Sequence, residues 1–207
     1  EVAAHTTVTD KLLRNSQAAG ALVATVLRKA IVAAEDFAFL RGAGAGVPRG
    51  VIGHAGTINV PRAGAGAIAY VDVVNMYSRA LMGGSLCWVA SPTALPQLMT
   101  MIDGAGHLVW QPNAREGAPG TLIGLPVLIN QRSPVLGQNA DLLLADFGYY
   151  LIKDGSGPFV SASEHVLFRS NQTVIKAFWN VDGEPWLTTP MLLEDGATQV
   201  SPFVALL

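Results

Sequence analysis

Ala34-Glu35-Asp36-Phe37-Ala38-Phe39-Leu40-Arg41-Gly42-Ala43-Gly44-Ala45-Gly46-Val47-Pro48-Arg49-Gly50-Val51-Ile52 is the stretch whose reading decides the fold. It is the end of a long helix carrying an acidic pair, broken by glycines at Gly42, Gly44, Gly46 and Gly50. Upstream, Val23, Val26, Ala30, Ala33, Phe37 and Leu40 recur at spacings of three and four, which predicts one apolar helical stripe. Thr25, Arg28, Lys29, Glu35 and Asp36 fall on the other side and predict a polar face turned to water or a partner. Ser16 as N-cap and Gly42 as the residue past the C-terminus bound a helix over 17–41, roughly 35 Å long. So long an element, stopped so abruptly, is a strut.

The 207 residues suffice for one large domain or two small ones with their own cores. Half the residues are hydrophobic and 14% are charged, which excludes disorder and implies extensive buried surface, including surface between subunits. A net charge of -2 with no basic run leaves only loose contact with nucleic acid. Arg28, Lys29, Glu35 and Asp36 interrupt the most hydrophobic window, 18–40, so no membrane span is expected. The lone cysteine, Cys87, excludes an internal disulfide framework, fits a reducing compartment, and reads as a buried structural thiol in Leu-Cys-Trp-Val.

Along the chain, 2–9 reads as a strand, and Asp10–Asn15 as a helical turn capped by Thr9 or Asp10. A loop with at most brief strands covers 47–66. A helix is expected over 70–82, with Val73, Val74, Tyr77 and Leu81 inward and a stop at Gly83-Gly84. A buried strand follows over 86–90, then a helix from Ser91-Pro92 to about Ile102. Further strands are expected over 107–110, 122–130, 141–146, 147–152, 159–163 and 173–181, with turns at Asp154-Gly155 and Asp182-Gly183. The tail, 198–206, reads as a last edge strand. Helices early and mixed strands later give an α+β class rather than regular βαβ repetition.

The order of these pieces carries a resemblance. Val8-Thr9-Asp10-Lys11-Leu12-Leu13-Arg14-Asn15-Ser16, the helix ending Glu35-Asp36 with Phe39-Leu40-Arg41-Gly42, and Pro48-Arg49-Gly50-Val51-Ile52 resemble the major capsid proteins of tailed bacteriophages, the Hong Kong 97 type. Cys87-Trp88-Val89-Ala90-Ser91-Pro92 is similar to that family's Trp-Val-Met-Ser segment, and Asp103-Gly104-Ala105-Gly106-His107-Leu108 to its Lys-Asp-Xaa-Xaa-Gly-Arg turn. Gly124-Leu125-Pro126-Val127 and Leu144-Ala145-Asp146-Phe147 with Tyr150 follow in register, and Arg169-Ser170-Asn171-Gln172 falls where the late peripheral strand begins.

The resemblance implies a peripheral lobe, 1–66 with 151–207, including spine helix 17–41, and a compact axial lobe, 67–150. It implies a structural subunit assembling with itself into hexamers and pentamers of an icosahedral shell around double-stranded DNA. Scaffold or portal proteins are the other expected partners, the bacterial cytoplasm is the place of assembly, and the virion capsid is the final location. The family's N-terminal arm and extended loop are missing before Glu1, so a weakly associating subunit is expected in dilute solution. Some relatives crosslink through an asparagine near the position of Asn171; with hydrophobic Ala177-Phe178 where the assisting acid belongs, Asn171 reads as a strand-start residue. An encapsulin-like nanocompartment shell shares the fold and stays open as an alternative, as does an α+β hydrolase.

No residue is assigned a catalytic, cofactor-binding or metal-binding role. Gly42-Xaa-Gly44-Xaa-Gly46 follows a helix, whereas a phosphate-binding fingerprint follows a strand and opens a helix. Ser85, His107 and Asp103 form a triad only on paper, with no Gly-Xaa-Ser-Xaa-Gly elbow. His5, His54, His107 and His165 lack paired ligand spacing. Asn171-Gln172-Thr173 is a formal glycosylation sequon without a secretory signal. The four tryptophans read as core or interface anchors, and Glu35-Asp36 as surface rather than catalytic carboxylates.

Overall fold

A computed structural model describes residues 1–15, 17–111, 120–155 and 159–207. Among them the chain runs β1 (Val2–Thr9), α1 (Asp10–Asn15), α2 (Gln17–Arg41), β2 (Ile58–Val60), α3 (Tyr70–Ser78), β3 (Cys87–Ala90) and α4 (Leu95–Met99). There follow β4 (Trp110–Gln111), β5 (Thr121–Leu122), β6 (Leu125–Ile129), β7 (Leu142–Ala145), β8 (Tyr150–Asp154), β9 (Phe159–Leu167) and β10 (Gln172–Trp179). The last strands are β11 (Val181–Pro185), β12 (Met191–Leu192), β13 (Gln199–Val200) and β14 (Phe203–Leu206). The class is α+β, as the sequence predicts, and the proposed cap Ser16 lies outside the described residues.

Two compact units emerge: 1–49 with 152–184, and 50–151 with 185–207. Segments 50–66 and 185–207, expected with the long helix, instead fall in the second unit. The reason is non-local pairing, because β2 and β14 join a sheet whose other strands lie between them in sequence.

The first unit is an antiparallel sheet in the order β1-β10-β9, with α2 against it. Alternation sets the buried face: Val8 lies opposite Thr173, Thr6 opposite Ile175, Ala4 opposite Ala177, and Val2 opposite Trp179. Val8, Ile175 and Ala177 close on Leu27 and Ile31 of α2, flanked by Ala4, Val23 and Trp179. Gln17–Arg41 is helical as predicted, and Val23 and Leu40 of the predicted stripe turn inward, but Val26 and Phe37 do not. Leu27, Ile31, Glu35 and Ala38 are buried, while Val26 and Phe37 are about half exposed at 56% and 46%. α2 is apolar on more than one side, so periodicity marks a stripe without saying which side meets the sheet. The helix stops where Gly42 N–H donates to Ala38 O (2.7 Å), and a Cβ at Gly42 would collide with the carbonyl of Pro48. The glycine therefore serves a close approach of two backbones rather than a left-handed turn.

The second unit is built on a mixed sheet in the order β2-β14-β7-β3-β6-β5-β4. Its middle strands, Phe203–Leu206, Leu142–Ala145 and Cys87–Ala90, are buried at every position. Strands covered on both faces read as continuous apolar runs rather than alternation, and so the tail is an interior strand, not an edge. Trp88 is fully buried and donates Nε1–H to Leu122 O (3.0 Å), and Met76 of α3 and Leu98 of α4 complete the same core. α3 ends at Ser78, short of Gly83-Gly84, with Asp72, Val73 and Met76 inward rather than Val74. Asp72 is inside because its carboxylate accepts from the N–H groups of Ala63 and Ala69 (2.7 and 2.8 Å). α4 spans only Leu95–Met99: the Ser91 hydroxyl is engaged by Thr93, and Pro96 rather than Pro92 stands in the first turn. The expected turn at Asp182-Gly183 lies inside β11, which pairs with β8. The 122–130 segment is a hairpin turning at Ile123 and Gly124, both with positive φ (49° and 74°).

Candidate functional site

The paper triad does not assemble. Asp103 and His107 share an exposed turn, with Asp103 Oδ1 accepting from the N–H groups of Ala105 and His107 (both 2.8 Å) and Oδ2 lying 3.2 Å from His107 Nδ1. The His107 backbone N–H, foremost, holds the Asp103 carboxyl below its ordinary range. Ser85 is exposed on another loop, and among the described residues no hydrogen bond joins it to His107. The cluster is an Asx-type turn.

Cys87 is buried, its thiol donating weakly to Ala145 O (3.5 Å), and burial followed by the Asp146 charge pushes its pKa up. A thiol held protonated in this way is a poor nucleophile. His5 and His165 are exposed on β1 and β9, His107 is in the turn, and buried His54 accepts from Gly56 N–H through Nδ1 (3.1 Å). Among the described residues no group of three or more His, Cys, Asp or Glu could hold a metal ion.

The glycine loop borders a cavity of about 290 Å³ whose charged lining residues, Glu1 and Asp182, are acidic. A phosphate there would meet repulsion instead of a cradle of donors. Asn171 is a left-handed residue (φ 49°) that opens β10, its carbonyl accepting from Asp10 N–H (3.1 Å), while Thr173 donates its hydroxyl to Asp10 Oδ1 (2.7 Å). Asp10 thus ties strand to helix. A second cleft, about 460 Å³, is lined by Asn59, Asn75, Ser78, Arg79 and Gln199 among others, with no acid or histidine to pair as general acid and base. Two tryptophans, Trp88 and Trp110, are core residues, whereas Trp186 is 64% exposed.

Glu35 and Asp36 part company: Asp36 faces out, and Glu35 is buried against the sheet side of α2. Burial first, then Asp154 and Asp36, push the Glu35 carboxyl above its ordinary pKa. Its position four residues after Ile31 and eight after Leu27 is the sequence signal for that burial. What the molecule offers outward is apolar surface. Leu22, Val26 and Phe37 recur along the uncovered side of α2, with Val32 beside them. β9 adds Phe159, Val160 and Val166 on the outer strand of its sheet. No helix among the described residues is long and apolar enough to cross a membrane.

The α+β fold has counterparts among known proteins. The capsid of the native GTA particle, computed with C5 symmetry, is 21% identical, with a TM-score of 0.76 over 99% of this chain and 71% of that one. Gordonia phage Cozz is 14% identical, with a TM-score of 0.68 over 99% and 68%. Mycobacterium phage Bobi is 14% identical, with a TM-score of 0.67 over 100% and 70%. These likenesses establish the Hong Kong 97-type fold. No curated protein sequence matches the chain. The profile described as the Phage capsid family matches residues 1–190, and the chain therefore belongs to that family, as a structural capsid protein and not an enzyme.

Proposed function

We propose that copies of this chain pack as hexamers and pentamers of an icosahedral shell enclosing double-stranded DNA. The first unit is then the peripheral lobe with α2 as its spine, and the second unit is the axial lobe around the capsomer axes. The observation that carries this reading is the apolar stripe Leu22, Val26 and Phe37, left in water by the lone chain. In a member of a shell-forming family its natural cover is another copy. With a net charge of -2 the chain has no electrostatic footprint for tight DNA binding, so any contact with the enclosed DNA is loose and non-specific. Scaffold and portal proteins complete the set of partners, and assembly takes place in the bacterial cytoplasm.

The test is production of the chain in bacteria with and without the scaffold and portal proteins of its own gene neighbourhood, followed by sedimentation and electron microscopy. Closed particles or capsomer rings are expected. Monomers alone in every combination would contradict the reading.

A further inference from the structure

Glu35 sits where an ionised side chain is least at home. It shares the inward face of α2 with Leu27, Ile31 and Ala38, it is 8% exposed, and its Oε1 finds no hydrogen-bond partner among the described residues. A carboxylate with one oxygen buried and unpaired is disfavoured in such a place, and a proton is the simplest relief.

The surrounding charges work the same way. Asp154, from the end of β8, and Asp36, from the helix itself, both oppose ionisation of Glu35. Asp154 is anchored, because the indole of Trp179 donates Nε1–H to its Oδ1 (2.5 Å), and Trp179 packs against the Leu27 and Ile31 core. Among the described residues no ion pair joins Glu35 to a cation. His5 of β1 and Lys176 of β10 lie opposite one another on the exposed face of the sheet, away from α2. Lys153 of β8 and Glu1 are exposed, and Asp10 of α1 is taken up by Thr173.

We propose that the Glu35 carboxyl is a proton-operated latch: protonated, it seats the end of α2 on its sheet beside Asp154, and on losing the proton it releases that seat. The sign follows from linkage. An acid that binds its proton more tightly folded than unfolded contributes fully below the unfolded pKa, near 4.5. That contribution is lost as pH rises through the folded value. The first unit therefore loosens on the alkaline side. The exposed stripe of α2 belongs to the same helix, so a change of seat moves the stripe with it.

Carboxyl-labelled glutamate in the intact, unassembled chain reads this directly by NMR titration. Glu35 is expected to titrate above ordinary glutamate, and to move back toward it in Asp154→Asn. In parallel, the fall of the urea midpoint of the first unit between about pH 5 and about pH 8 is expected in the wild type and lost in Glu35→Gln. An ordinary titration of Glu35, or an unchanged slope in Glu35→Gln, overturns the latch. The wild-type titration decides the matter even if a variant fails to fold.

Discussion

Arg62 gathers four acceptors with one guanidinium. Its Nε donates to Leu207 O (3.2 Å), Nη1 to Ala67 O (3.1 Å), and Nη2 to Gln138 O (3.2 Å) and Asp141 Oδ1 (3.0 Å). Asp141 is fully buried. Arg62→Met strands that carboxylate without a counter-ion and is expected to cost about 3–5 kcal/mol in urea denaturation. Adding Asp141→Leu should recover much of the loss; a cost below about 1 kcal/mol for the single variant would mean the pair is replaceable by solvent. None of this was legible in the sequence. Pro61-Arg62-Ala63-Gly64 reads as part of a glycine- and proline-punctuated loop, and two of the partners, Asp141 and Leu207, lie 79 and 145 residues away. Asp195 works on a local scale, accepting from the N–H groups of Ala197 and Thr198 and from the Thr198 hydroxyl. The hydroxyl foremost lowers its pKa. The order it lends the β12–β13 turn is present above the unfolded value, about 3.9, and is lost as pH falls through the folded one. Amide shifts of residues 195–198 should follow that acid titration in the wild type and lose it in Asp195→Asn.

At the scale of elements, α2 shows what a period can and cannot reveal. Its C-terminal end was legible to the residue, because alanine-rich helical sequence meets Gly42. Its orientation was not, because Val26 and Phe37 are as apolar as the buried Leu27 and Ile31. A helix with a neighbour on each side carries two stripes, and one chain can cover only one. Val26→Asp and Phe37→Asp are therefore expected to change the stability of the isolated chain by no more than about 0.5 kcal/mol while sharply reducing the assembled fraction in sedimentation. Equal losses of stability and assembly would place these side chains in the core instead. The Gly83-Gly84 step shows a related limit. It reads as a helix stop, but a Cβ at Gly84 would collide with the carboxylate of Asp146. Gly84→Ala should cost about 1–3 kcal/mol by overpacking, measured as a drop in the urea midpoint.

At the scale of the molecule, the ordered run of short motifs carried the fold class and the family. Strand order stayed hidden, because the pairing of β14 with both β2 and β7 is a contact between distant segments. The same non-locality moved 50–66 and 185–207 into the second unit. Candidate chemistry was legible mainly as isolated letters: Ser85 stays apart from His107, and Cys87 is sealed under Ala145. Function then rests on surface between copies. Electron cryo-microscopy of particles built from this chain tests that most directly. The account predicts a closed shell in which Leu22, Val26 and Phe37 of each α2 are covered by a neighbouring copy. A shell in which that stripe still faces solvent, or a chain that forms no particles with its own assembly partners, would contradict it.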